Sequence, residues 1–131
     1  MTRGAAASVE DVTDSIFHVA IADDWEASVP FGSYEAATRG VLFDADEPIR
    51  ATTAAGVQRV LDERYADLVL QLVVVELDVD ALEAAGIPVT RDAASDRIGI
   101  EAPLPPGDDT IVKRVVPLTR RNERWVAPEL A

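Results

Sequence analysis

The sequence predicts one α+β domain, and three observations carry that prediction. Its 131 residues fit a single domain of ordinary size. Hydrophobic residues make up 48% of the chain, enough apolar material for a core that offsets the entropy of ordering. Strand-like and helix-like segments alternate only loosely, and the last strands follow one another without segments long enough for helical crossovers. A doubly wound parallel sheet would need those crossovers.

Residues 1–14 are small and polar with a short alanine run, and read as a flexible lead-in to one domain over residues 15–131. From Ile16 to Ile21 the β-branched and aromatic character predicts a strand. Asp23 is placed to cap a short helix carrying Trp25, which Pro30 and Gly32 close. Asp24 and Glu26 fall near the positive end of that helix dipole. Between Ser33 and Pro48 no period dominates. There Tyr34, Val41, Leu42 and Phe43 are expected to anchor an irregular stretch, with turns at Gly40 and over Asp44-Ala45-Asp46-Glu47.

The strongest helical pattern opens at Thr52 or Thr53, either of which can supply a capping oxygen. Ala54, Val57, Leu61 and Tyr65 form one apolar stripe, with Gln58, Arg59, Asp62 and Glu63 on the other side. Leu68 to Leu77 is apolar on both parities, which predicts the central strand of a sheet covered on both faces. Asp80-Ala81-Leu82-Glu83 has capping-box spacing, and Gly86 and Pro88 stop the short helix it would open. Ile87 to Thr90 and Arg97 to Glu101 read as strands flanking an acidic turn. The proline-rich stretch Ala102 to Asp109 is a stiff loop, because proline fixes φ. Thr110 to Leu118 is the final strand, with Pro117 at an edge or bulge. A basic tail with Arg120, Arg121 and Arg124 closes on Trp125.

Composition excludes several functions. A net charge of −12 opposes binding to nucleic acid, which needs cations to displace counterions, and opposes anionic membrane surfaces. The longest apolar run contains Gln71 and Glu76, so no membrane span is expected. Asp11 and Asp14 interrupt any signal-peptide pattern, which makes the cytoplasm the expected location. Without cysteine, disulfides and thiolate chemistry are excluded. Lys113 is the single lysine, which points to GC-rich coding rather than to salt adaptation as the source of the arginine bias. One histidine leaves only oxygen ligands for a metal. The acids Asp44, Asp46 and Glu47 lack the glycine and downstream glutamate of a calcium loop, so no metal site is expected. The serines sit in no nucleophile elbow, and phosphate-loop and dinucleotide glycine patterns are absent.

Three positions invite a sharper reading. His18 puts an imidazole on one face of a predicted strand. It is either a core histidine bonded to backbone or a ligand-facing group. Arg50, before Thr52 and Thr53, either salt-bridges an acid or clamps an anion at a helix N-terminus, where orphan amides favour negative charge.

The order of these pieces resembles domain-of-unknown-function family nine-five-two, a group of small bacterial cytoplasmic domains. The resemblance rests on Ile16-Phe17-His18-Val19, Trp25, Tyr34, Ile49-Arg50-Ala51-Thr52-Thr53, Tyr65, and Leu72 to Asp78. Val115-Val116-Pro117-Leu118 and Arg124-Trp125-Val126 extend it toward Pro128. It implies a split, mostly antiparallel sheet with a few flanking helices, related to ADP-ribosyltransferases and RNA 2'-phosphotransferases. In that wider group a histidine on the first strand holds the adenosine ribose of NAD, and His18 falls on its position. NAD is therefore a possible cofactor by resemblance alone, and otherwise none is expected. Where the family has Ile-His-Cys-Ser, this chain has Ile49-Arg50-Ala51-Thr52. Where the family has Phe-Pro-His-Leu-Tyr-Gly-Pro, it has Arg97 to Pro103, keeping only the proline. The departures imply a catalytically degenerate member, in which Arg50 and Glu101 form a new polar pair.

The resulting expectation is a domain that binds a small anionic or nucleotide-like ligand with His18, Arg50, Thr52, Thr53 and Glu101. The alternatives are an NAD-using enzyme that transfers ADP-ribose or phosphate, and an interaction module. In the latter the basic stretch from Lys113 to Arg124 would meet an acidic partner or a second copy, as monomer or homodimer.

Overall fold

A computed structural model describes residues 15–38, 41–44, 46–92 and 97–130. The expected lead-in over residues 1–14 and the turn positions Gly40 and Ala45 lie outside the described residues. The chain runs β1 (Ser15–Ile21), α1 (Ala22–Phe31), β2 (Ala36–Thr38), β3 (Val41–Leu42) and β4 (Ile49–Ala51). A 3₁₀ turn (Ala54–Gly56) leads into α2 (Val57–Arg64), followed by β5 (Leu72–Asp78) and α3 (Val79–Ala84). Then come β6 (Val89–Arg91), β7 (Ile98–Ile100), β8 (Val112–Pro117), β9 (Thr119–Arg121) and β10 (Arg124–Val126). This is a small single α+β domain whose described strand pairs are all antiparallel.

β5 is central because both of its faces are apolar. It lies between β1 and β8, with Val74 opposite Val19 and Val116. Val73, Val75 and Leu77 enter one core cluster with Ile16, Trp25 and Leu82. Leu72 and Val74 enter a second with Phe17, Val57, Leu61, Tyr65 and Trp125. The α2 stripe read from the sequence thus packs on one face of this sheet, and burying each such side chain is worth roughly 1.5–3 kcal/mol.

A second three-stranded sheet has the order β4-β7-β6. It joins the first through a bridge between Phe17 and Thr52, whose amides and carbonyls bond reciprocally at 2.8 Å. Alternation along these strands sets the two faces. Ile49, Ala51, Ile98 and Ile100 point into the first core. Arg50, Gly99 and Thr90 form a cross-strand row on the opposite face.

Several local expectations are corrected. The central strand starts at Leu72 rather than Leu68, and Val69 and Leu70 are exposed in the connection before it. Neither Asp23 nor a threonine caps a helix. α1 follows Ile21 directly out of β1, and the turn after Thr53 begins as 3₁₀ with no side-chain cap bond. Asp78, not Asp80, caps α3 by accepting from the Ala81 amide at 3.0 Å, because the chain turns helical two residues earlier than the box spacing implied. Pro30 sits inside α1, which ends at Gly32 with φ of 88°. Tyr34 is a buried anchor, whereas Val41 and Leu42 are exposed. The basic tail folds as the β9–β10 hairpin, turned by Asn122 and Glu123 at φ of 52° and 64°. No described helix is long and apolar enough to cross a membrane.

Candidate anion-binding cleft

Small strands and a short helix leave the outer face of the second sheet uncovered beside α2. A cleft of about 360 Å³ opens there, within the range of small-molecule sites. Arg50 reaches it from β4, Arg59 and Arg64 from α2, Arg91 from the end of β6, and Arg97 from just before β7. Five of the chain's twelve basic residues therefore line one depression. Among the described residues Glu63 and Asp92 are the acids lining it, so arginines outnumber acids five to two there in a chain of net charge −12.

Some of that charge is engaged at the rim. Arg59 pairs with Glu63 at 3.8 Å and Arg50 with Glu47 at 3.1 Å. Both pairs are substantially exposed, so each contributes little to stability and can be exchanged for a ligand. Val60 and Pro48 supply apolar wall between the guanidinium groups.

His18 lies behind this cleft, in the core. Its Nδ1 is 2.6 Å from the Arg50 carbonyl oxygen and its Nε2 is 2.8 Å from the Tyr34 hydroxyl. A carbonyl can only accept, so Nδ1 carries the proton, and the neutral ring's Nε2 accepts from Tyr34. Both nitrogens are thereby used. Burial pushes the His18 pKa down to about 4, against the opposing effect of the Arg50 carbonyl. Burial likewise raises the Tyr34 phenol well above its ordinary range, with smaller contributions from Tyr65 and Asp24. The Tyr34 ring meets His18 edge-on at 5.3 Å and Trp25 at 4.8 Å, and its backbone is bridged to Leu104. His18 is thus the core histidine of the plainer sequence reading. It borders a chamber of about 30 Å³ shared with Thr38, Arg50, Thr52, Val60 and Tyr65.

Arg50 and Thr52 line both the cleft and this inner chamber. Thr52 is 2% exposed, and its Oγ1 is buried without a hydrogen-bond partner. Arg50 Nε is also buried and unpartnered. Thr53 lines neither space, and no residue from Thr53 to Val57 does, so the helix start does not open into the cleft. The positive field comes from guanidinium groups instead. Glu101 and Arg50 do not pair. Arg50 bonds Glu47, while Glu101 accepts from the hydroxyl of the cleft-lining Thr90 at 3.0 Å. Gly99 makes that contact possible, because a Cβ there would stand 2.8 Å from Thr90 Oγ1 and 3.2 Å from Glu101 Oε2.

Sequence reasoning did not find Arg59, Arg64, Arg91 and Arg97 as cleft residues. The available signals were two arginines five apart on the polar side of a helix and two flanking an acidic turn. Neither spacing reveals that the two pairs share one cleft. Among the described residues no cluster of histidine, cysteine, aspartate and glutamate could hold a metal ion.

No family model matches the chain. No curated protein matches it. Among solved structures, it is similar to the crystal structure of protein CC0527 from Caulobacter crescentus, at a TM-score of 0.65 and 16% identity. That likeness covers 85% of this chain and 91% of the other. A double mutant of CC0527 matches at a TM-score of 0.64 and 15% identity. At such identity the shared property is the fold.

Proposed function

We propose that the protein binds a small anionic ligand in the cleft between α2 and the sheet β4-β7-β6. One observation carries the reading: five arginines converge on a single depression of about 360 Å³ in a strongly acidic chain. Planar guanidinium groups match phosphate and carboxylate oxygens. The apolar wall of Val60 and Pro48 gives the remainder of an organic ligand a surface to cover. The residue resemblance to domain-of-unknown-function family nine-five-two, with the ADP-ribosyltransferase-like sheet it implies, belongs to this proposal, and it makes nucleotide-like anions the first to titrate. His18 offers such a ligand no free ring nitrogen, so binding is favoured over NAD-dependent transfer.

Calorimetric titration with inorganic phosphate, ADP-ribose and NAD at low ionic strength tests the reading. At least one should bind, and Arg91→Ala should weaken it about tenfold, the loss of one charge-assisted contact. Absence of binding by all three, or binding indifferent to Arg91→Ala and Arg50→Ala, would sink it.

A further inference from the structure

Two polar groups of the cleft lining are buried without partners. They are Thr52 Oγ1 and Arg50 Nε, and they belong to two of the five residues that line both the cleft and the inner chamber. A buried hydroxyl without a partner destabilises a fold, so its presence in an otherwise well-bonded wall calls for a compensating use. Elsewhere in this wall the polar groups are satisfied: His18 by Arg50 and Tyr34, the Thr52 backbone by Phe17, Thr90 by Glu101.

We infer that Thr52 and Arg50 form the anchor point for a phosphoryl group, and that the ligand is a phosphate monoester rather than a carboxylate. This rests on the anion-binding reading above and specifies it. A terminal phosphoryl oxygen accepts from Thr52 Oγ1–H and from Arg50 Nε–H at once, completing both groups. The monoester carries about −1.5 to −2 charge at neutral pH and three acceptor oxygens. That matches a lining with five guanidinium groups better than a carboxylate's single charge and two oxygens do. The two remaining oxygens face Arg91 and the outer guanidinium groups, and the esterified organic part lies along Val60 and Pro48.

The test uses inorganic phosphate, phenyl phosphate and acetate as probes on the intact protein, with Thr52→Val and Arg50→Lys variants. Valine keeps the shape of threonine and removes only the hydroxyl; lysine keeps the charge and removes the Nε fork. Phenyl phosphate should bind more tightly than inorganic phosphate, and acetate more weakly than either. Each variant should weaken phosphate about tenfold, the cost of one hydrogen bond to a charged group. Without ligand, Thr52→Val should melt no lower than the parent, because it deletes an unsatisfied buried group. A purely structural hydroxyl gives the opposite pair of results: a lowered melting temperature with phosphate affinity unchanged. Phosphate binding that Arg91→Ala weakens but Thr52→Val and Arg50→Lys leave intact overturns the anchor and spares the cleft. Acetate binding as tightly as phosphate overturns the choice of ligand class. Failure of every anion on the parent protein overturns both readings.

Discussion

His18 shows how a single side chain can be conspicuous in sequence and settled in structure. Its neutral form bridges β4 to Tyr34 and is held by two hydrogen bonds, so protonation would put a charge in the core and force the Tyr34 hydroxyl to turn from donor to acceptor. The folded-state pKa is about 4, below the ordinary value of 6.5. A depressed histidine stabilises the fold fully above its unfolded pKa and loses that contribution as pH falls toward the folded one. Stability should therefore drop by about 2 kcal/mol between pH 7 and pH 5, before the carboxylates titrate. Urea denaturation at the two pH values measures this. As the chain has one histidine, its ring proton resonances are also unambiguous, and they should move by no more than about a tenth of a full titration over that interval. A ring titrating near its ordinary pKa would show that the buried bridge does not form. The residue types around His18 were readable, but the partners were not: Arg50 lies 32 positions away, and its carbonyl rather than its side chain makes the bond.

At the scale of elements, two patterns survived folding intact and two were displaced. The α2 stripe and the doubly apolar β5 carry their burial in their own periodicity, so both were legible. Helix starts were not, since α1 and α3 each leave a strand directly and their boundaries are fixed by the sheet. The β9–β10 hairpin was missed because its turn, Asn122-Glu123, has only half the usual signature. Both residues occupy the left-handed region, where asparagine is tolerated and glutamate is strained. The hairpin is held by its ladder, by Trp125 Nε1 donating to the Leu68 carbonyl, and by Gln58 bonding both Trp125 O and Ala127 N. Arg120 additionally lies 5.6 Å over the Trp125 ring. Glu123→Gly should raise unfolding stability by about 1 kcal/mol, because the contact from Arg120 uses only the residue's backbone carbonyl. Chemical denaturation compares the two proteins; a destabilised variant would show that the side chain itself contributes.

For the whole molecule, the relevant contrast is between a surface of net charge −12 and one arginine-lined cleft. Added salt screens the general repulsion and also screens the cleft from its ligand. Raising sodium chloride from about 0.02 to about 0.5 M should increase the melting temperature of the free protein while weakening phosphate binding. Arg91→Ala should keep the thermal response, since it leaves the acidic surface in place. If the variant abolishes that response, chloride occupying the cleft, not screening, is its source. Persistence of the fold at the low-salt end is what GC-rich coding predicts and adaptation to high salt does not.

By itself, the sequence determined what its own spacing and composition can encode. These are an acidic α+β domain, a central strand buried on both faces, an amphipathic helix, and the absence of cysteine chemistry. Only the tertiary structure decided the site. Arg50, Arg59, Arg64, Arg91 and Arg97 come together because two short sheets meet at the Phe17–Thr52 bridge and leave one face open to α2. It also turned His18 inward and left the Thr52 hydroxyl without a partner. Periodicity reports which side of an element is buried; it carries no information about which distant elements share the face left open.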